Sequence, residues 1–438
     1  MDLLKDNVGK LYRKFFIASF GSALIACIYG LVDMAMVGQY HGPDGSAAMA
    51  VIAPIWNIIY SFGLLCGIGG SVIYAVARGE RDDVKEANGY FTSAFILGTL
   101  WALILWVLVW VCEEPLLRLF GANDALMPLC KEYMVAPKLT VPVYVFINLL
   151  SSFLRNDGDP GRATKAVIFG GIFNVFGDYF FVFTLDMGIK GAGIATAMGA
   201  SMSVLVMLTH FISKKNTLKF VKPLRILNSF KMISVNGFSS FIVDVAMGIA
   251  TMLFNRRVME YLGTDALAVY GVIVVVGTLV QCCSYGIGQA AQPVISRNFG
   301  AGLTDRIKTM LKYNIITAAV FGAIWTVLSM AMPQVFIKLF MTPTPEVLSI
   351  APGIIRIYAI SFVLLPFNIY STYYFQAIMR AKISLIASVA RGIVISGALI
   401  LLLPVAFGGN AVWWAMPITE AVVFVYSAVM MKKVKLSR

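Results

Sequence analysis

Long apolar runs, one after another from end to end, constrain this chain more than any other feature. Twelve of them, each about 20 residues or longer, fall at roughly 11–38, 46–76, 88–112, 131–154, 163–185, 190–213, 229–257, 264–295, 308–332, 350–379, 382–405 and 410–431. In hydrocarbon every backbone N–H and C=O needs an internal partner, so only helices and closed barrels can span a bilayer. Runs of this length suit helices, whereas barrel strands are shorter and alternate in polarity. Composition agrees. Hydrophobic residues make up 59% of the chain and charged residues 13%, with a mean hydropathy of +0.82. A soluble fold this apolar could not cover itself with polar surface. Disorder, a secreted disulfide scaffold and a coiled coil are excluded.

The net charge of +13 is a matter of topology rather than of nucleic-acid binding. When the spans alternate from the N-terminus, one side of the membrane collects 26 of the 35 Lys and Arg residues, including Lys5, Lys10, Arg13, Lys14, Arg78, Arg81, Lys85, the run Lys214 to Lys231, and Lys432 to Arg438. The other side holds eight, and Arg391 falls within a helix. The positive-inside rule then puts both termini in the cytoplasm of a cell-membrane protein. The basic excess attracts anionic headgroups, so membrane lipids are expected partners and nucleic acid is not. The basic start of the chain resembles a signal peptide, but its apolar run is long enough to span, contains Asp33, and shows no small-residue cleavage site. It is expected to stay as the first helix. Six cysteines, Cys27, Cys66, Cys112, Cys130, Cys282 and Cys283, lie mostly in apolar runs. They form no metal-ligand pattern with His41 and His210, so buried thiols are expected.

The chain repeats at half its length. Gly67-Ile68-Gly69 recurs as Gly286-Ile287-Gly288 and Arg78 as Arg297, both 219 residues on. Leu116-Leu117-Arg118-Leu119-Phe120 recurs as Phe336-Ile337-Lys338-Leu339-Phe340 at 220, and Gly45-Ser46-Ala47-Ala48-Met49-Ala50-Val51 as Gly263-Thr264-Asp265-Ala266-Leu267-Ala268-Val269 at 218. Matches in register indicate duplication. Six helices per half is even, so the halves are parallel repeats about an axis along the membrane normal. The expected fold is therefore an all-α polytopic membrane protein, with twelve transmembrane helices in two parallel six-helix lobes around a central cleft. The lobes are 1–212 and 232–438, joined by a basic cytoplasmic linker at 213–231 tethered to headgroups. This is the architecture of an alternating-access carrier.

A carboxylate in hydrocarbon costs about 2.5–3.5 kcal/mol on insertion scales and persists only with partners or a function. Four stand out: Asp33 in helix 1, Asp178 in helix 5, Asp244 in helix 7 and Glu420 in helix 12. Asn174 precedes Asp178 by four residues and shares its helix face. Thirteen residues from Lys165 place Asp178 roughly 20 Å into the membrane. Asp33 and Thr196 fall at a similar depth. Two carboxylates, an amide and a hydroxyl make a hard-oxygen site that suits Na⁺ or a shared proton, or, alternatively, simple hydrogen-bonded helix glue. Asp244 and Glu420 have no acidic counterpart in the first half. They are candidates for a substrate counter-ion or second proton site, or for pairing with a neighbouring helix, and Arg391 in helix 11 is a partner for Glu420 at matching depth. Met34, Met198, Met202, Tyr370 and Tyr373 are flexible or aromatic side chains in central helices that suit varied apolar cations; ordinary packing is the other reading.

Helix 1 carries Val32-Asp33-Met34-Ala35-Met36-Val37-Gly38. The junction of helices 4 and 5 reads Leu154-Arg155-Asn156-Asp157-Gly158-Asp159-Pro160. Helix 5 reads Phe173-Asn174-Val175-Phe176-Gly177-Asp178, and helix 6 opens Gly188-Ile189-Lys190-Gly191-Ala192-Gly193-Ile194-Ala195-Thr196. With the duplication, the chain resembles the multidrug and toxic compound extrusion (MATE) family of bacterial cation antiporters over nearly its whole length. The resemblance implies export of organic cations and drugs, driven by inward H⁺ or Na⁺ with no other cofactor, and a coupling site in the N-lobe. Asp33, Asn174, Asp178 and Thr196 match its motif positions, and Asn148 in helix 4 matches as well. Helix 7 of some branches carries a glutamate; the nearest acid here is Asp244. A monomer is expected. The alternative on the same superfamily fold is a flippase for lipid-linked saccharides, which favours a strongly cationic cleft and often extra helices. No constellation for an enzyme appears at membrane depth.

Overall fold

The computed structural model describes residues 2–80, 84–223, 225–341 and 343–436. Two of the basic residues counted above, Arg81 and Arg438, lie outside the described residues. No strand occurs among those described. The membrane-crossing helices are α1 (Val8–Gly42), α2 (Asp44–Glu80), α3 (Val84–Val111), α4 (Val135–Asn156), α5 (Pro160–Thr184) and α6 (Gly188–Leu208) in the first half. In the second half the run Ile226–Gly300 divides at Gly263 into α7 (226–262) and α8 (264–300). It is followed by α9 (Thr304–Ala331), α10 (Pro345–Ala377), α11 (Ala381–Phe407) and α12 (Gly409–Lys433). Short helices Glu113–Leu119, Met127–Tyr133 and Pro333–Phe340 lie between spans.

The turns inside the first helix pair of each half are tighter than the sequence suggests. α1 meets α2 at Gly42 (φ 64°) and α7 meets α8 at Gly263 (φ 80°). This left-handed backbone is open to glycine at little cost. Repeat matching had set Gly263 against Gly45, but Gly45 has no positive φ. The structural equivalent is Gly42, because the register follows the residue that makes the turn.

The most extensive packing between any two helical runs joins α1 and α2 to α7 and α8, one pair from each half. One core cluster draws only on residues 37–192 and another only on residues 254–415. A third combines Leu11, Ile68 and Val76 with Val294, Tyr370 and Phe375, and so spans both halves. This shared core lies at the end of the molecule that carries the chain termini. There α2 and α8 touch backbone to backbone: a Cβ on Gly79 would come within 2.1 Å of Arg297 O, and one on Gly300 within 2.0 Å of Val76 O. The lobes are thus joined at the terminal end, and their separate cores part toward Gly42 and Gly263.

The linker is not a loose tether. Thr217 N donates to Asp157 Oδ2 at 2.9 Å, Lys219 N to Asn88 Oδ1 at 3.1 Å and Val221 N to Thr92 Oγ1 at 3.0 Å. Leu218 is buried. The basic side chains Lys214, Lys215, Lys219 and Lys222 are exposed, and so are the apolar side chains of Phe220 and Leu227. Backbone donors satisfied by buried side chains make this segment a strap on the first lobe.

Candidate functional site

The acids of the first half come together. Asp33, on α1, accepts a hydrogen bond at Oδ2 from Tyr133 OH at 3.0 Å. Its side chain also approaches Thr196 and lies against Asp178. Asp178 is fully buried, and apart from Asp33 neither of its oxygens has a partner among the described residues. Asn174 Nδ2 donates to Thr196 Oγ1 at 3.3 Å, leaving Asn174 Oδ1 and Asp33 Oδ1 without partners. α5 and α6 come close enough for this because Gly199 has no side chain; a Cβ there would lie 2.9 Å from Asn174 Cβ. The cluster thus holds several unmatched oxygens in a buried space. Unmatched acceptors are costly unless a proton or cation joins them.

Asn148 stands apart. Its Nδ2 donates to Tyr144 O at 3.3 Å, in its own helix. The phenol of Tyr144, one turn away on the same helix, lies within electrostatic reach of both Asp33 and Asp178. The phenols of Tyr133 and Tyr144 were not singled out by sequence reasoning. Tyr133 belongs to a short helix whose role only the fold reveals. A π-helical turn, Tyr179–Thr184, begins directly after Asp178. Such single π turns interrupt the regular ladder and recur at functional sites.

In the second half Gln281 Nε2 donates to Tyr285 OH at 2.6 Å, and Tyr285 OH donates to Asp244 Oδ1 at 2.7 Å. Asp244 Oδ2 has no partner. This acid lines a cavity with Leu64, Tyr285, Tyr373 and Arg391. Leu64 belongs to α2, so the cavity lies between the lobes. Tyr373 is placed as a cavity wall. Tyr370 is not: it is fully buried in the shared core, with its hydroxyl unpartnered. Glu420 is likewise no free counter-ion. Its Oε1 accepts from Arg391 Nε at 2.7 Å, the pairing expected from depth, and its Oε2 accepts from Asn368 Nδ2 at 2.6 Å. With both oxygens taken, Glu420 is held by its neighbours rather than offered to a ligand. Met34 and Met198 are exposed, and Met202 is half-buried. None of the three lines this cavity.

A third cluster, missed from the sequence, sits at the terminal end. Asp157 and Asp159 clasp the buried His210: its Nε2 lies 2.8 Å from Asp157 Oδ2 and its Nδ1 3.3 Å from Asp159 Oδ2. Asp157 Oδ1 also accepts from Tyr74 OH at 3.1 Å and from Thr217 Oγ1. Arg162 Nε donates to Asp159 Oδ2 at 2.9 Å. Burial pushes the Asp159 carboxyl up, but the hydrogen bond from Arg162, with Lys215 and His210, outweighs it and holds the group below its ordinary value. The acids of the helix 4–5 junction are thereby structural: they fasten the strap.

The family model MatE matches residues 18–180 and 236–401, one block in each half. The Multidrug export protein MepA of Staphylococcus haemolyticus is 24% identical over 425 residues, covering 95% of this chain and 92% of the relative. Its counterpart in Staphylococcus saprophyticus is 23% identical over 426 residues, with the same coverage. Among solved structures, an outward-facing multidrug resistance MATE family transporter of the MOP superfamily superposes with a TM-score of 0.88 at 22% identity, over 98% of this chain and 97% of that one. A MOP superfamily transporter from Pyrococcus furiosus also gives 0.88 at 22% identity, over 99% and 98%. Two matched blocks, twelve spans and whole-length similarity agree: the chain belongs to the MatE family and is a MATE-type membrane transporter, not an enzyme.

Proposed function

We propose that this transporter exports organic cations and drugs in exchange for inward H⁺ or Na⁺, by alternating access to a cleft between its lobes. The meeting of Asp33 and Asp178 with Asn174 and Thr196 carries this reading. Two carboxyl groups in contact away from water need a proton or a metal cation between them. An ion that fits one state of the cleft better than the other shifts the balance between states. The likeness to proteins named for multidrug export supports the direction and the class of cargo.

On this reading 1–212 and 232–438 are the moving lobes and 213–231 is their link. The Lys and Arg distribution supports a plasma-membrane protein with both termini cytoplasmic. The protein works as a monomer, since each chain supplies both lobes and the cleft. Asp244, ringed by the phenols of Tyr285 and Tyr373, takes the cationic group of the cargo. Met34, Met198 and Met202 supply adaptable apolar contact where cargo enters or leaves. Reconstituted vesicles loaded with ethidium, with pH and Na⁺ gradients imposed separately, test the proposal. One gradient should drive efflux of the dye. Equal transport of a same-sized anionic dye, or no response to either gradient, would overturn it.

A further inference from the structure

Cys66, Cys130 and Cys283 are buried as expected, but Cys27, Cys112 and Cys282 are only half-buried. Two of those three meet. The thiols of Cys27 on α1 and Cys282 on α8 are hydrogen-bonded to each other, so the contact joins one lobe to the other. Cys283 follows directly on α8, but successive side chains on a helix point about 100° apart, and Cys282 is the one turned to α1. The backbones hold the two sulfurs there. One turn from Cys282, a Cβ on Gly286 would come within 2.7 Å of Phe20 Cα, so no side chain separates α1 from α8 at that point. Cys282 also lies within electrostatic reach of Asp244, Tyr285 and Tyr373, which line the inter-lobe cavity. The pair is at mid-span: Cys27 lies roughly 22 Å along α1 from the turn at Gly42.

Two thiols in contact are one oxidation step from a covalent bond, and a small disulfide supplies that step by exchange. The thiolate of one cysteine attacks a sulfur of the reagent and expels half of it as a thiol, leaving a mixed disulfide. The second cysteine attacks the protein sulfur of that mixed disulfide, displaces the other half, and closes the bond between Cys27 and Cys282. The two cysteines lose two protons and two electrons. The S–S bond of the reagent takes up both and leaves as two thiols. We propose that Cys27 and Cys282 are a redox modification site, oxidised by small disulfides to an inter-lobe crosslink that stops transport until a thiol reduces it. A disulfide holds its two Cα atoms about 4.4–6.8 Å apart, so α1 and α8 can no longer separate at this level. The site rests on the alternating-access reading, in which the gap between α1 and α8 changes at mid-span in each cycle, and adds chemical control over that motion.

The test uses purified protein in vesicles, treated with dipyridyl disulfide and then with dithiothreitol. One chain carries Cys66→Ala, Cys112→Ala, Cys130→Ala and Cys283→Ala, so that only the pair remains. Cys27→Ser and Cys282→Ser in that background are the controls. The wild-type chain is mapped as well, so a four-alanine protein that fails to fold does not decide the matter. Mass spectrometry of the digest reads the crosslink, hydrogen exchange reads the opening of α1 and α8, and ethidium efflux reads transport. Oxidation should link the Cys27 and Cys282 peptides in a chain of unchanged monomer size. It should slow exchange in α1 and α8 around the pair and reduce efflux in proportion to the fraction linked. Dithiothreitol should restore both. Neither serine variant should lose efflux on oxidation. Failure to link, or linking with unchanged exchange, would overturn the redox site whatever the dye does. Linking that leaves efflux at its full rate would overturn its control over transport. If untreated wild-type protein exports no ethidium while the link forms and exchange slows, the export reading fails and the redox site stands.

Discussion

Asp178 on α5 lies directly against Asp33 on α1, and beyond that contact neither Asp178 oxygen has a described partner. Asp33 is anchored by Tyr133, whereas Asp178 depends on whatever occupies the space between the two acids. Asp178→Asn should therefore leave folding and insertion intact and abolish gradient-driven efflux. Asp33→Asn should do nearly the same, because removing either acid destroys the pair. Efflux measured beside cation binding in the purified variants checks this. Full gradient-driven transport by Asp178→Asn would remove the N-lobe coupling site.

Asp244 is expected to act on cargo rather than on the ion. It stands in a different cavity, with Tyr285 as its hydrogen-bond donor. Asp244→Asn should change the relative efflux of a panel of dyes while the response to imposed gradients persists. Transport that is uncoupled for every dye would make Asp244 part of the coupling machinery instead.

Glu420 should prove structural. Glu420→Ala strands Arg391 in the lobe interior, and breaking a buried pair by removing one partner costs about 3–5 kcal/mol. Glu420→Gln keeps an oxygen for Arg391 and should cost less. Thermal unfolding of the detergent-solubilised variants gives the order. A Glu420→Ala protein as stable as wild type would show that Arg391 finds another anchor.

The strap predicts an acid-sensitive contribution to stability. Asp159 is held below the ordinary carboxylate value, by Arg162, Lys215 and His210 against its burial. Its contribution is therefore present above the unfolded value of about 3.9. It is lost as pH falls through the lower folded value. Asp159→Asn should destabilise the protein by about 1–3 kcal/mol at neutral pH, with the gap to wild type closing only below about pH 4. A gap that closed between pH 7 and 5 would point to another group.

Topology has its own check. Lys219 is exposed on the strap, so a cysteine placed there in a cysteine-free background should react with an impermeant maleimide only from the cytoplasmic side. Labelling of intact cells from outside would invert the proposed orientation.

Much of this was legible in the chain because hydrocarbon is an unforgiving solvent. Twelve spans follow from backbone satisfaction alone, and Asp33, Asp178, Asp244 and Glu420 stand out because charge there is expensive. Depth along a helix was enough to pair Arg391 with Glu420. What depth cannot give is the direction in which a side chain points. Tyr370 and Tyr373 are three residues apart in one helix and share one buried core, yet Tyr373 also lines the inter-lobe cavity and Tyr370 does not. Nor does periodicity report contacts made by connecting segments. Asp157 in the junction of helices 4 and 5 and His210 in the sixth apolar run are 53 residues apart, and nothing in their spacing pairs them; Gly42 was hidden behind a better sequence match at Gly45.

The strap also sets a length. A linker free from 213 to 231 would let the lobes drift roughly 60 Å apart, at about 3.3–3.6 Å per residue. With Val221 fixed to Thr92 and α7 beginning at Ile226, four residues lie between them, and the five steps from 221 to 226 reach roughly 17 Å. At their terminal end the lobes are on a short leash. On the alternating-access reading proposed above they pivot rather than separate, in a rocking motion with its widest travel at the opposite end.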